Sequence, residues 1–328
     1  MNYILFDWSE PMDGEKSFIA ENINCQIKEV FSYRSSKRIV GWMKGCISAL
    51  KQSSQGDTIV CWFDFQAIML YWICLLTFRS RRIGCINVML KNKNTLKNKL
   101  VAWLYSRAFN SKYFLASVTS VEYGEHLKRR LGYNGELLLI HDVYHNSYKV
   151  KGDSRIKQNS VFCGGNNGRD WKFLIDVAKA LPDVEFRLVM PGNVFGRYCQ
   201  EFPTNMVVKH DITYSEFMRE MCECDIVALP LDTQAPAGLI VLFQAAANMK
   251  YIITTDTLVT REYLADGRGS LLPNDIEHWS KAIKEKLINS KGNEAASMKL
   301  FKYLCSECTE EKFVNGVEEM IIRLNAIV

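Results

Sequence analysis

The chain has 328 residues, of which 48% are hydrophobic and 23% are charged. This composition indicates a globular protein, and the length favours two domains with enough apolar residues for two cores. The 11 cysteines form neither a pair of C-x-x-C motifs nor a cluster with histidine, so reduced thiols in the cytoplasm are expected rather than disulfides or zinc. Asp7 and Glu10 interrupt the apolar amino terminus, which therefore predicts a first strand and not a signal peptide.

The net charge of +5 is unevenly distributed along the chain. Residues 1–150 contain 20 Lys and Arg against 12 Asp and Glu, whereas residues 151–328 contain 21 against 24. A basic first half is suited to nucleic acid, an anionic lipid surface or a phosphorylated acceptor, and a solvated lysine-rich face is the alternative. The sequence contains no motif of an RNA- or DNA-binding fold, so no nucleic-acid partner is expected.

The first half alternates predicted strands with predicted helices. We expect strands at residues 3–6, 27–31, 58–63, 83–88, 113–118 and 137–140. We expect helices ending near residue 22, at 41–52, at 65–78, within 91–112 and at 120–130. This alternation is typical of a parallel sheet with crossover helices.

Residues 65–78 are almost entirely apolar and are followed by Arg79, Arg81 and Arg82. Fourteen residues are too few to span a bilayer. A fully buried crossover helix is the favoured interpretation, and a helix that dips into a membrane is the alternative.

Residues 91–112 combine basic and aromatic side chains. The basic residues come first and the apolar residues follow: Lys91, Lys93, Lys97 and Lys99, then Trp103, Leu104, Tyr105 and Phe109. This order predicts a helix on an anionic membrane surface, which would place the protein at the inner face of the membrane. An ordinary solvated loop followed by a core helix is the alternative.

A polar segment, residues 141–160, separates the halves, and we place the domain boundary in it, with domains at 1–148 and 149–309. His141 and His145 lie at its start with i, i+4 spacing, but no third ligand accompanies them, so no metal is expected. A last helix, within residues 310–328, is expected to pack back on the first domain.

The second half opens with a predicted strand at 160–163, a glycine-rich turn containing Gly164, Gly165, Asn166 and Arg169, and a helix at 170–181. Strand, glycine turn and helix allow the backbone to approach a phosphate, and Arg169 adds a positive charge. Strands at 185–189 and 206–209 follow, and the second is followed by His210, Asp211 and Tyr214.

Residues 225–256 form the clearest unit of the chain. A buried strand at 226–229 leads through Pro236 and Gly238 to a helix at 239–249 and a strand at 251–255. The loop lies at the carboxyl end of a parallel strand, where open sheets bind ligands. The helix start at Gly238 and Leu239 is suited to a phosphate because its backbone N–H groups are free. A further helix is predicted at 276–288.

This stretch resembles the donor-binding segment of GT-B glycosyltransferases, in particular the retaining family-four group. Gly238 stands at the position of that family's glycine, and Gln244-Ala245-Ala246-Ala247 stands where Glu-Ala-x-Ala is expected, after one extra residue. Neither glutamate of the family pattern is present, since Ala235 or Pro236 replaces the first and Gln244 replaces the second. The resemblance covers residues 160–328 well and the first half only by fold.

The resemblance implies an α/β GT-B fold: two Rossmann-like, doubly wound parallel-sheet domains that face each other across a cleft. It implies a nucleotide diphosphate sugar, expected to be linked to UDP, with Gln244 at the ribose and Tyr214 near the base. The donor-binding residues implied are Gly164, Gly165, Asn166, Arg169, His210, Asp211, Tyr214, Pro236, Gly238, Leu239 and Gln244. No metal or other cofactor is expected, because the chain has no Asp-x-Asp motif and this fold stabilises the diphosphate with helix ends and cations.

The resemblance favours a retaining mechanism, which needs no protein base. An inverting mechanism would need a carboxylate, and Asp64 and Asp13 are the candidates; Asp13 is alternatively a helix N-cap. We therefore expect a hexosyltransferase of cell-surface polysaccharide biosynthesis that acts on a glycolipid or oligosaccharide acceptor. The alternatives are a non-catalytic GT-B protein that binds a glycan or partner, favoured by the missing glutamates, and a nucleotide-sugar epimerase, disfavoured by only five histidines.

Overall fold

The computed structural model describes residues 1–8, 16–35, 37–91, 95–150 and 156–327. The chain forms two compact units. The first unit contains Met1–Val143 and Cys308–Val328, and the second contains Tyr144–Glu307.

The first unit is built on a six-stranded sheet in which every pair of neighbouring strands is parallel. Its strands are β1 (Asn2–Phe6), β2 (Ile27–Phe31), β3 (Thr58–Cys61), β4 (Arg82–Cys85), β5 (Phe114–Val118) and β6 (Leu137–Leu139). They are arranged in the order β2-β1-β3-β4-β5-β6. Their apolar runs follow from burial on both faces, because helices cover a parallel sheet on both sides.

In the described part of the first unit, five helices connect these strands, and a sixth comes from the end of the chain. The connecting helices are α1 (Phe18–Asn22), α2 (Arg38–Gln52), α3 (Asp64–Leu76), α4 (Leu96–Phe109) and α5 (Val121–Leu131). Helices α2, α3, α4 and α5 pack in a row, each against the next one or against the sheet. The C-terminal helix, Glu310–Asn325, packs against β3, β4, β5 and β6.

Gly84 in β4 permits the close approach of the C-terminal helix. A Cβ atom at this position would lie 2.7 Å from Met320 Sδ and 2.9 Å from Val60 Cγ2. Any larger residue would therefore push the helix away from the sheet, since packed interiors leave no such space.

The second unit also contains a six-stranded parallel sheet, in the order β12-β11-β10-β7-β8-β9. Its strands are β7 (Lys157–Gly164), β8 (Glu185–Met190), β9 (Met206–His210), β10 (Cys224–Leu229), β11 (Tyr251–Thr255) and β12 (Ser270–Leu272). Its helices are α6 (Trp171–Ala180), α7 (Gly192–Tyr198), α8 (Tyr214–Cys222), α9 (Leu239–Ala247), α10 (Thr260–Leu264), α11 (Ile276–Ile288) and α12 (Ser290–Glu307), and the C-terminal helix is therefore α13. Read from β9, the order is 3-2-1-4-5-6, the doubly wound arrangement of dinucleotide-binding folds.

Helix α3 differs from the prediction of a fully buried helix. Gln66 and Leu70 on one of its faces are buried, but Leu75 and Leu76 at its carboxyl end are 46% and 73% exposed. Among the residues that the structure describes, no helix is both long enough and apolar enough to cross a membrane.

Candidate functional site

The candidate site lies at the carboxyl edge of the second sheet, between β7 and β10. These strands are neighbours in the sheet although the chain continues from β7 to β8 on the other side. The order of the strands reverses here, and open α/β sheets bind ligands in the crevice outside such a switch point. Two loops meet at this point, residues 165–170 after β7 and residues 230–238 after β10.

Glycine allows the two loops to approach each other. Gly168 has a φ of +69°, and a Cβ there would lie 2.8 Å from both Ala237 Cβ and Thr233 Cγ2. The backbone N–H of Asp232 donates to the carbonyl of Gly168 at 2.9 Å. The left-handed φ and the close contact both require glycine, so Gly168 fixes the distance between the loops.

Arg169 places a buried cation between the same two loops. Its side chain is 7% exposed, and it donates from Nε to the Gly164 carbonyl at 2.9 Å and from Nη1 to the Asn167 carbonyl at 3.3 Å. No carboxylate of the described residues pairs with it. Burial lowers the pKa of the Arg169 guanidinium, which nevertheless stays charged because an arginine pKa is far above neutrality. The site therefore holds a positive charge that the described protein groups do not neutralise.

The N-terminus of helix α9 lies against this guanidinium. Gly238, the N-cap, has a φ of +79°, and no side chain caps the helix. A Cβ at Gly238 would be 2.9 Å from Arg169 Nη1, and one at Gly165 would be 2.9 Å from Nη2. The uncapped N–H groups and the positive end of the helix dipole thus share one location with the arginine, an arrangement suited to an anion.

Gln244 lies six residues into the same helix and is 4% exposed. Its Nε2 donates to the Tyr214 hydroxyl at 3.4 Å, while its Oε1 is buried without a hydrogen-bond partner among the described residues. Tyr214 begins helix α8 and is 56% exposed. A buried amide oxygen without a donor is costly, so a ligand hydroxyl that donates to it would be stabilising. The structure thus brings Gln244 and Tyr214 together.

His210 is the last residue of β9, and Asp211 follows it in a turn. Asp211 has a φ of +52°, and its carboxylate accepts from the Gly192 N–H at 3.0 Å and contacts His210 Nδ1 at 3.2 Å. The Gly192 N–H and the His210 ring hold the pKa of Asp211 below its usual value. His210 packs on Phe195, with the ring centroids 4.5 Å apart. Both side chains therefore have structural contacts in a loop at the carboxyl edge.

The remaining predicted donor residues differ in exposure. Asn166 is exposed, Gly165 is partly exposed, and Gly164, Pro236 and Leu239 are buried. A Cβ at Gly164 would lie 2.5 Å from the ring of Phe217, so this glycine is needed for packing of β7 against α8.

Asn274 was not singled out from the sequence, although it connects three loops at this edge. Its Nδ2 donates to Asp170 Oδ2 at 3.1 Å and to the Leu231 carbonyl at 3.0 Å, and its Oδ1 accepts from the Thr255 hydroxyl at 2.5 Å. In the sequence, an asparagine next to Pro273 indicates only a turn. Its hydrogen-bond partners could not be inferred, because they lie 19 to 104 positions away.

Of the two carboxylates predicted as catalytic candidates in the first unit, the structure describes Asp64 but not Asp13. Asp64 is the first residue of α3 and is 1% exposed, and it accepts from the N–H groups of Phe65 and Met89, both at 2.8 Å. Burial raises the pKa of Asp64, although these donors oppose the shift. Its partners connect α3 to the loop after β4, and its catalytic role stays a prediction. Asp13 lies outside the described residues. Within those residues, no group of three or more His, Cys, Asp or Glu side chains could hold a metal ion.

Comparison with models of protein families finds no match for this chain, and no curated protein matches its sequence significantly. Solved structures do match. The Anabaena protein HepE, in complex with UDP and glucose, is 13% identical with a TM-score of 0.71, covering 98% of this chain and 99% of that one. Sucrose-phosphate synthase from Thermosynechococcus elongatus is 11% identical with a TM-score of 0.73, covering 99% and 89%.

A third match, TarM from S. aureus in complex with UDP and other ligands, is 12% identical with a TM-score of 0.64 and covers 85% of this chain and 58% of that one. At these identities the likeness concerns the fold. Two six-stranded parallel sheets with flanking helices, together with these matches, confirm the fold class predicted from the sequence. The chain has the GT-B fold.

Proposed function

We propose that this protein is a glycosyltransferase that takes its sugar from a nucleotide diphosphate sugar, with UDP as the expected nucleotide. The observation that carries the proposal is the buried Arg169 guanidinium, which faces no described carboxylate and lies against the uncapped start of α9. Charge-assisted hydrogen bonds from arginine and from helix N-termini are a recurring means of binding phosphate. UDP in the HepE and TarM structures supports this choice of nucleotide.

The same groups can assist the reaction. When the bond between the sugar and the diphosphate breaks, negative charge develops on the leaving phosphate. Arg169 and the N–H groups of α9 are already in place, and Arg169 lies in a site from which water is largely excluded. Stabilisation of a leaving group by fixed dipoles and cations costs no rearrangement during the reaction.

A retaining reaction without a bound metal fits this proposal. In such a mechanism the leaving phosphate oxygen receives the proton of the acceptor, so no protein carboxylate is required. The burial of Asp64 favours this route over an inverting one, because a general base must come within hydrogen-bond reach of the acceptor. We propose a glycolipid or an oligosaccharide of cell-surface polysaccharide synthesis as the acceptor.

A non-catalytic GT-B protein is the second candidate, and one observation favours it. Gln244 occupies the position of the family's second glutamate, so the site lacks a negative acceptor there. Calorimetric titration with UDP, GDP and ADP, with Mg²⁺ or with EDTA, separates the candidates. Saturable binding of one nucleotide that persists in EDTA, and hydrolysis of the matching nucleotide sugar, support the enzyme. Absence of binding by all three nucleotides contradicts it.

We also propose that the first unit attaches to an anionic membrane surface at the inner face of the membrane. Between Glu29 and Glu122 the chain contains 14 Lys and Arg and only two acids, Asp57 and Asp64. Asp57 pairs with the terminal amine at 2.8 Å, and Asp64 is buried. The exposed surface of this region is therefore almost purely basic, which favours anionic lipid.

Helix α4 adds an exposed apolar stripe to this basic surface. Leu96, Leu100 and Trp103 are 85%, 59% and 52% exposed and follow one another at helical spacing. The ring of Trp103 lies 5.4 Å from that of Trp72 on α3. The alternative that places Trp103 in the core is wrong, whereas Tyr105 and Phe109 are buried.

Co-sedimentation with vesicles tests the attachment. Binding to vesicles with phosphatidylglycerol should exceed binding to pure phosphatidylcholine and should fall with added salt. Changing Lys91, Lys93, Lys97 and Lys99 to Gln should abolish it, since each basic residue contributes about 1 kcal/mol at such a surface. The control changes Lys281, Lys284, Lys291 and Lys299 of the second unit to Gln, which removes the same charge. Equal losses in both variants would show that net charge alone is responsible.

A further inference from the structure

A cavity of about 300 Å³ lies in the first unit, at the edge of the sheet opposite to Asp64. Ile83 near the start of β4 and Tyr113 just before β5 line it, so it opens at the amino ends of the strands. Helix α3 runs from the carboxyl edge of the sheet to the amino edge, and its 13 residues have a length of about 20 Å. Ligands of open parallel sheets bind at the carboxyl edge, so this cavity has no part in donor binding.

The lining of the cavity combines apolar and basic side chains. The apolar part is formed by Tyr71, Cys74, Leu75, Phe78, Ile83 and Tyr113. Arg79, Ser80, Arg81 and Ser111 are the other described lining residues, and none of the described lining residues is acidic. Its volume is at the lower end of the range of about 300–1,000 Å³ that is typical of small-molecule sites. The lining is suited to a ligand that has both an apolar chain and a negative group.

The two arginines of the lining differ in their partners. Arg81 is buried, and its guanidinium donates to the hydroxyl and carbonyl of Ser53 and to the carbonyl of Ser80, so it stabilises the fold. Arg79 is exposed, and its side chain makes no hydrogen bond or ion pair with any described residue. Arg79 is therefore the cation that is available to a ligand.

Phe78 supports the same interpretation independently. It follows α3 with a φ of +55° and is 97% exposed. A bulky residue in the left-handed region is an outlier at a position where glycine or asparagine would cost less. Exposed Leu75 and Leu76 precede it. Strain and exposure together disfavour a role for Phe78 in folding and favour contact with an apolar phase.

We infer that this cavity binds one anionic phospholipid of a bilayer, with the start of an acyl chain between Tyr71 and Ile83 and the phosphate at Arg79. This inference rests on the membrane attachment proposed above and adds a discrete site to it. Phe78, Leu75 and Leu76 enter the bilayer beside the bound lipid. The described lining residues include no acid, and with the available guanidinium of Arg79 they provide the charge complementarity that selects an anionic headgroup.

The test uses the full chain and a soluble lipid. Dihexanoyl phosphatidylglycerol, below its micelle concentration, is titrated and followed by native mass spectrometry and by tryptophan fluorescence. We expect one saturable molecule per chain, and weaker binding of dihexanoyl phosphatidylcholine. Arg79→Gln should weaken phosphatidylglycerol binding about fivefold, the effect of one basic residue. Phe78→Asn should weaken it about tenfold or more, because the aromatic ring then no longer covers apolar surface of the lipid.

Two controls separate the site from general effects. Ile322→Asn removes an exposed apolar side chain from α13, outside the cavity, and should leave lipid binding unchanged. Trp103→Ser on α4 should reduce vesicle binding but not binding of the short-chain lipid. Asparagine tolerates the left-handed region, so Phe78→Asn should keep or raise the thermal midpoint, which excludes misfolding.

Two results would overturn the inference: no saturable binding of the short-chain lipid, or equal binding by the wild type and the Arg79 and Phe78 variants. UDP titration of the same variants keeps this test separate from donor binding. If a variant loses lipid binding but binds UDP normally, the proposed glycosyltransferase function is not affected. If the protein binds the lipid but not UDP, the proposed glycosyltransferase function is contradicted and the lipid site is not.

Discussion

Arg169 is held in the second unit by carbonyl groups and glycines, without a described acid. A buried charge of this kind reduces the stability of the protein when no anion is bound, since desolvation is not offset by an ion pair. We therefore assign Arg169 to a binding site and not to the stabilising core.

Arg169→Ala should lower the affinity for UDP by about 1.5–3 kcal/mol, the range for a hydrogen bond to a charged group. The thermal midpoint of the ligand-free variant should equal or exceed that of the wild type, and the rise of the midpoint with UDP should shrink. Calorimetry and thermal unfolding measure both quantities. Arg197→Ala, an exposed arginine of α7, is the control. An unchanged dissociation constant in Arg169→Ala would refute the assignment.

Gln244 gives a second prediction at the residue scale. Its buried Oε1 lacks a donor among the described residues, and we assign to it a hydroxyl of the ribose. Gln244→Ala should weaken UDP binding, and Gln244→Glu should restore or improve it because a carboxylate is a stronger acceptor. Uridine and 2′,3′-dideoxy-UDP identify the group involved: the effect should persist with uridine and disappear without the ribose hydroxyls. Much weaker binding by Gln244→Glu would show that the side chain serves only packing.

The sequence predicted several candidate site residues by type but not their contacts. Arg169 and Gly238 could be named because a charge and a glycine in strand-loop-helix units are visible in the chain, and Gln244 because of the resemblance to GT-B glycosyltransferases. The contact of Gly168 with Thr233 and Ala237 and the bonds of Asn274 join residues that are far apart in sequence. Such contacts depend on strand order, which one sequence does not state.

At the scale of elements, buried strands were the most predictable feature. Strands β2 and β11 and helix α11 begin and end at the predicted residues, because apolar runs between turn residues mark them clearly. Helices α7 and α12 were not predicted. The first contains Gly192 and Gly196 and has no buried residue, and the second buries only four of its 18 residues, so neither shows a clear apolar period.

Helix α8 is attached to its sheet by a buried ion pair network, which makes the second unit sensitive to acid. Glu220 accepts from Arg187 Nε on β8 at 2.8 Å and from Lys209 on β9 at 2.7 Å, and it is 3% exposed. Burial alone would raise the pKa of Glu220, but the two cations outweigh this effect and hold the pKa below its ordinary value. Folding therefore favours the charged carboxylate.

The direction of the pH effect follows from this lowered pKa. Glu220 contributes its stability fully above the unfolded pKa of about 4.3, and the contribution is lost as the pH falls through the lower folded value. Glu220→Gln should reduce the free energy of unfolding at pH 7 by about 1.5–3 kcal/mol, the range for hydrogen bonds to charged groups, because Arg187 keeps its ion pair with Glu185 at 2.9 Å. Urea unfolding at pH 7 and at pH 3 checks this. The gap between wild type and variant should narrow at pH 3, and a constant gap would contradict the role assigned to its charge.

At the scale of the whole molecule, the chain enters the second unit after Val143 and returns to the first at Cys308. Both units contain a parallel sheet of six strands, and the switch point of the second has two loops with a buried cation between them. The sequence predicted the return of the last helix from its position in the resembling fold. This helix packs against four strands of the first sheet.

A chain that ends at Glu307 should therefore lose the first unit and keep the second. Helix α13 contributes Phe313, Val314, Val317, Met320, Ile321 and Leu324 to the buried core. Each large core side chain is worth about 2–5 kcal/mol, so their combined loss exceeds the roughly 5–15 kcal/mol by which domains are stable. Hydrogen exchange should show loss of protection in β1, β3 and β4, with protection retained in β7, β8 and β10.

Single substitutions on the same helix supply the control for that truncation. Met320→Ala, which removes the atoms that contact Gly84, should lower the free energy of unfolding by about 2–5 kcal/mol. Ile322→Ala changes a side chain that is 55% exposed and should alter it by less than about 0.5 kcal/mol. Equal effects of the two substitutions, or a truncated chain with full protection of β1, β3 and β4, would show that the first sheet is stable without its C-terminal helix.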